Sequence, residues 1–159
     1  MPPKSEIDPV LNDPHLDLGR LGAFVGFRMR RIQNQLSRDF TIKTKHYGLR
    51  PGEFSALALI SANPGLSQAM LAREIGLDKS LAVALIDDLE RLELAERRRS
   101  TTDRRRHALH TTEKGEATLK ALFTRLTTVE RETLNALGPE DLVTLNSLLD
   151  RIYDACFRP

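Results

Sequence analysis

Six arginines within ten positions are the residues of this 159-residue chain best suited to chemistry with a charged partner: Arg97, Arg98, Arg99, Arg104, Arg105 and Arg106. Each guanidinium carries a permanent charge and a rigid fork of donors, which suits it to gripping phosphate and to entering a narrow groove of a duplex. Only Glu96 and Asp103 oppose them between Ala95 and His110, so this segment nets +4 in a chain whose formal charge is +2. The positive charge is therefore concentrated, and the remainder is slightly acidic. Taken alone, such a cluster is more often a solvated surface than a binding site. The element that carries it decides between them.

Other chemistry is sparse. His107 and His110 stand three apart in strand-like sequence, point to opposite faces and so cannot close on one metal ion. Cys156 is the one cysteine, which excludes an internal disulfide. It falls on an apolar helical seam, where a small buried hydrophobe is expected. The alternative is a redox-sensing thiol, with Arg158 as its evident basic neighbour. No nucleophile with an adjacent base, no glycine-rich phosphate loop and no carboxylate pair stands out, so nothing supports an enzyme, a metal or a cofactor. No apolar run approaches the length of a membrane span, and a reducing cytoplasm is the expected location, with no membrane partner.

Low aromatic content, no Trp, and abundant Leu, Ala, Arg and Glu predict a mainly α protein. Residues 1–15, with Pro2, Pro3, Pro9 and Pro14 among polar neighbours, read as a flexible arm. From Leu18 the apolar positions Leu21, Val25, Met29, Ile32, Leu36 and Phe40 recur at steps of three or four, which predicts one long helix capped by Asp17 and closed near Tyr47 by Gly48. Pro51 opens a short helix carrying Phe54, Leu57 and Ile60. Ser67 caps a second, ended by Gly76, and Asp78 caps a third, whose stripe is Ala82, Leu85, Ile86 and Leu89. Two short helices with glycine in the turn outline a helix-turn-helix. The helical period then stops, and Ala95–Arg99, a polar turn, and Asp103–His110 read as a basic hairpin. Thr112 caps the next helix, and Pro139 opens a last one with Leu142, Leu145, Leu149, Ile152 and Cys156 on a seam of the kind that meets another helix.

In that order, residues 49–111 make a winged helix-turn-helix: mainly α, with a small β-hairpin wing. The stretch from Ser67 to Gly115 resembles the core of the MarR (multiple antibiotic resistance regulator) family. The matching residues are Leu71-Ala72, Leu89-Glu90, Asp103-Arg104-Arg105, Thr112 and Gly115. Glu93 stands where that family usually carries glycine, and Thr111 where it usually carries an apolar residue. The resemblance spans roughly Leu16 to Phe157. It implies a transcription regulator in which residues 16–48 and 112–159 supply N- and C-terminal dimerisation helices around the DNA-binding domain.

For the wing, the resemblance implies that Asp103 holds an ion pair while Arg104 and Arg105 reach phosphates or the minor groove, with Arg97 and Arg99 beside them. On the third helix, the core stripe leaves Lys79, Ser80, Leu81, Val83, Ala84 and Asp87 facing outward, where helix-turn-helix proteins meet the major groove. Ser67 and Gln68 open the preceding helix and are included as DNA-binding candidates. Leu81 and Val83 either contact thymine methyls or pack on the neighbouring helix. A two-fold homodimer would read an imperfect palindrome of double-stranded DNA. The resemblance further implies a repressor released by a small-molecule effector, an aromatic or amphipathic acid or its acyl-thioester. Phe24, Arg28, Arg31, His46 and Tyr47 are then the ligand-binding candidates, with Phe27 expected in the core.

Overall fold

A computed structural model describes residues 16–99 and 107–158. The expected N-terminal arm, residues 1–15, and the wing residues Asp103, Arg104 and Arg105 lie outside the described residues. The chain divides into two compact units at Asn34.

In the first unit the expected continuous helix is broken. A 3-10 turn spans Gly19–Ala23, Phe24 is extended, and helix α1 starts only at Val25 and runs to Lys43. Gly19 adopts a φ of +51°, which no α-helix accommodates. The Asp17 carboxylate accepts the Gly19 N–H at 2.8 Å, and the Arg28 Nε donates to the Gly22 carbonyl at 2.6 Å. These local bonds satisfy groups that a helix would otherwise have to pair.

The second unit holds the rest of α1. Another 3-10 turn, Lys45–Tyr47, follows it and is closed by Gly48 at φ +68°. Then come α2 (Pro51–Ala62), β1 (Leu66–Ser67), α3 (Gln68–Glu74), α4 (Lys79–Arg91), β2 (Ala95–Arg99), β3 (His107–Thr111), α5 (Glu113–Thr133) and α6 (Pro139–Phe157). The three strands form one antiparallel sheet in the order β1-β3-β2, with Leu109 paired to Leu66 on one side and Arg97 on the other. Strand β1, at two residues, is too short to show a period in the sequence. Around Leu109 lie Leu57, Ile60, Leu71, Ile86, Leu89, Leu119 and Leu122, all buried in one core. That core welds the helix-turn-helix, the hairpin root and the start of α5 together.

Two helix ends close by the same motif with different residues. After α3, Gly76 (φ +67°) lets the Leu77 N–H return to the Ala72 carbonyl at 2.9 Å. After α4, Glu93 takes a φ of +61°, and the Leu94 N–H reaches the Leu89 carbonyl at 2.9 Å. The Leu94 carbonyl then accepts the Thr112 N–H at 3.0 Å. A β-carbon on Gly115 would fall 2.1 Å from that same carbonyl, so α5 starts in direct backbone contact with the root of the hairpin.

Helix α6 buries none of its residues, and Val143, Leu148, Leu149, Ile152 and Phe157 are exposed. Cys156, expected as a small buried hydrophobe, is exposed for the same reason. A polar tie joins α6 to α3: the Tyr153 hydroxyl donates to Glu74 at 2.7 Å, and that carboxylate pushes the phenol pKa up. Among the described residues, no helix is long and apolar enough to cross a membrane.

Candidate nucleic-acid interface

Asp78 starts α4 by placing its Oδ1 2.9 Å from the Leu81 N–H and 2.7 Å from the Ser80 hydroxyl. These two bonds, the Leu81 amide first, hold its carboxyl below the usual range. The first turn is thereby fixed while its side chains stay open. Lys79, Ser80 and Ala84 are exposed, and Leu81 is 55% exposed although it is a large apolar residue. Val83 is half-buried and borders, with Asp78, Lys79 and Ser80, a shallow surface hollow. Of the two apolar candidates, Leu81 therefore presents the larger free surface. Ser67 accepts the Met70 N–H at 3.2 Å as the cap of α3, and Gln68 beside it is half-buried.

The second half of α4 carries three acids, Asp87, Asp88 and Glu90, on a helix expected to approach a polyanion. Each is engaged by a guanidinium. Arg97 from β2 forms an ion pair with Glu90 and another with Asp87 at 2.7 Å, and its backbone N–H donates to Glu90 at 2.8 Å. On the other flank Arg50 donates to Asp88 at 2.7 Å and, through Nε, to the buried Glu53 at 2.7 Å. Arg91 holds the second Asp88 oxygen at 3.0 Å and is the leading cause, ahead of Arg50, of that carboxyl's lowered pKa.

Along the hairpin, Arg97 departs from its expected place as a free cation, with only 17% of its side chain exposed. Arg98 pairs with Glu96 on the same strand, and Arg99 is exposed. Thr111 uses its hydroxyl where an apolar residue was the norm: it donates to Glu116, which also accepts the Ser61 hydroxyl at 2.7 Å. These two bonds, Thr111 first, lower the Glu116 pKa.

The arginine–carboxylate braces were missed from sequence. The Arg50–Glu53 spacing carried a signal, since an acid three residues into a helix reaches back to its start. Arg97 and Asp87 are joined only by the turn between them, which no local pattern reveals.

Among the ligand candidates, Phe24 is 70% exposed and Arg28 is tied to Gly22 in the first unit. Arg31 is exposed on α1, and Phe27, expected in the core, is half-buried. In the second unit the His46 and Tyr47 rings lie in tilted contact, with centroids 4.0 Å apart and planes at 42°.

This geometry has clear counterparts among known proteins. The MarR family model matches residues 47–106. A Thauera aromatica protein named for transcriptional regulation of the hcr operon is 36% identical over 137 residues, covering 85% of this chain and 82% of that protein. The transcriptional repressor CouR, solved on a 23-mer DNA duplex, is 35% identical with a TM-score of 0.78, covering 86% of this chain and 97% of its own. CouR of Rhodococcus jostii RHA1 bound to p-coumaroyl-CoA is 23% identical with a TM-score of 0.75, covering 87% of this chain and 96% of its own. At that identity the likeness concerns the fold. With a relative above one-third identity along most of both chains, and the family match lying on the helix-turn-helix and hairpin, this chain belongs to the MarR family of transcription regulators.

Proposed function

We propose that the protein is a sequence-specific repressor that binds an imperfect palindrome of duplex DNA as a homodimer and is released by a small acid. The observation that carries this reading is the N-terminal half of α4, capped by Asp78 and open at Lys79, Ser80, Leu81 and Ala84. Inserted in the major groove, it offers a cation and a hydroxyl to phosphates or base edges and an apolar surface to thymine methyls. Val83 adds apolar area at the margin. Ser67 and Gln68, at the start of α3, border the phosphate backbone. Arg99, with Arg104 and Arg105, serves phosphates and the adjacent minor groove, while Asp103 holds the wing through an ion pair.

In this reading residues 16–48 and 112–159 build the dimer, and residues 49–111 read DNA. The effector is an aromatic or amphipathic acid or its acyl-thioester; Phe24, Arg28 and Arg31 in the first unit, and His46 and Tyr47 in the second, are each candidates to contact it. Such a ligand releases DNA only by favouring a separation of the two lobes that misfits the half-sites.

Fluorescence anisotropy on a duplex from the chain's own upstream region tests this. Affinity should fall steeply with salt, and Arg104→Ala and Arg105→Ala should each reduce the slope of log K against log salt by about one. Aromatic acids and p-coumaroyl-CoA, titrated into the complex, should include one that releases it. Salt-insensitive association, or full affinity in the double alanine variant, refutes the reading. Redox sensing through Cys156, the alternative for that residue on α6, is the second reading. Under it, peroxide weakens binding by the wild type and leaves Cys156→Ala unaffected.

A further inference from the structure

We infer that Arg97 is a positioning residue: it locks the hairpin to α4 and fixes the rotation of that helix about its own axis, so that it governs sequence discrimination without touching DNA. The inference rests on the DNA-binding reading above but assigns this arginine a different task from its neighbours. Its guanidinium is engaged on α4 at Glu90, at Asp87 (2.7 Å) and at the Val83 carbonyl (3.5 Å). The backbone N–H of the same residue donates to Glu90 at 2.8 Å, so strand and side chain grip one acid together. With the side chain only 17% exposed, little of the charge is left for phosphate.

The partner side explains why rotation is what is fixed. Consecutive residues of a helix point about 100° apart. Asp87 is drawn toward β2 by Arg97, while Asp88 is drawn toward the start of α2 by Arg50 at 2.7 Å. Two neighbouring positions pulled to different flanks set the angle at which Lys79, Ser80 and Leu81 face a groove. A few degrees of roll would move those side chains relative to base edges while leaving the general attraction to phosphate intact. Arg97 also neutralises two acids that would otherwise repel the duplex.

The decisive variant is Arg97→Lys, which keeps the charge and loses the fork. Wild type and variant are compared on the upstream-region duplex and on a scrambled duplex of equal length, across a salt series. The expected result is a drop of about tenfold in the ratio of specific to scrambled affinity, with the salt slope unchanged. Asp87→Asn should lower the same ratio, and combining the two should add little to either alone. A phosphate contact predicts the opposite pattern: Arg97→Lys near wild type, and Arg97→Gln with a slope smaller by about one. That pattern, or additive losses, overturns the inference.

A DNA-free arm separates this outcome from failure of the functional reading. In Arg97→Lys, hydrogen exchange at the β2 and β3 amides should quicken while the middle of α5 keeps its protection. Unchanged hairpin exchange refutes the brace, whether or not any duplex is bound. A wild type that binds no duplex refutes the DNA reading alone.

Discussion

Glu93 sits in a left-handed conformation at φ +61°, where a side chain costs free energy that glycine does not incur. Its carboxylate meets Lys114 at 3.1 Å, but the two side chains are 79% and 58% exposed, and such a pair contributes little. Glu93→Gly is therefore expected to stabilise the fold by about 1 kcal/mol and raise Tm by about 2–4 °C, measured by thermal melting. A lower Tm would show that the Lys114 contact outweighs the backbone strain. The residues legible in sequence were those acting within one turn. Ser67, Asp78 and Thr112 cap helices as their types and places indicate, and Gly76 and Gly48 end segments where glycine is required. Glu93 is not a residue type that marks a left-handed position, and the signal lay instead in its place, where the family usually carries glycine.

The helices and the hairpin were legible where the period was unbroken, and β2 spans Ala95–Arg99 as its sequence indicates. The break before α1 was hidden because apolar steps of three and four continue straight through Phe24. Local hydrogen bonding at Asp17 and Gly22 ends the helix there, and hydrophobic spacing does not record it. The elements also set how the fold meets acid. Asp78 at the start of α4, Asp88 within it and Glu116 in the first turn of α5 all have pKa values below their ordinary ones. A carboxylate lowered in the folded state contributes stability that is complete above its unfolded pKa, near about 4, and is lost as pH falls through the folded value. Stability from these three groups should thus be level from neutrality down to about pH 5 and decline below about pH 4. Asp78→Asn keeps an oxygen for the Leu81 N–H and removes one titration, so its acid limb should be shallower in melts run from pH 7 to pH 3. A decline already under way between pH 7 and pH 6 would point to a different group.

The core is complete around Leu109 and Leu122, yet among the described residues α6 buries none of its own and leaves Leu148, Leu149, Ile152 and Phe157 exposed. Its seam was readable as a partner-seeking pattern, while the partner's identity was not, because a helical repeat does not say which helix answers it. If a second copy covers this face, Leu149→Glu with Ile152→Glu should halve the mass measured by sedimentation while the far-ultraviolet helix signal persists. A persistent dimer would move the junction elsewhere. The close approach of Gly115 to the Leu94 carbonyl bears on how such a junction could be felt at a distance. The 21 residues of α5 form a rod, about 30 Å long, and its foot has no slack against the strand that carries the arginines. Swinging the far end by about 3 Å pivots the foot by about 5°, and the hairpin must turn with it. Motion among the subunits would then reach the groove as a lever stroke, with α4 and its braces carried along whole.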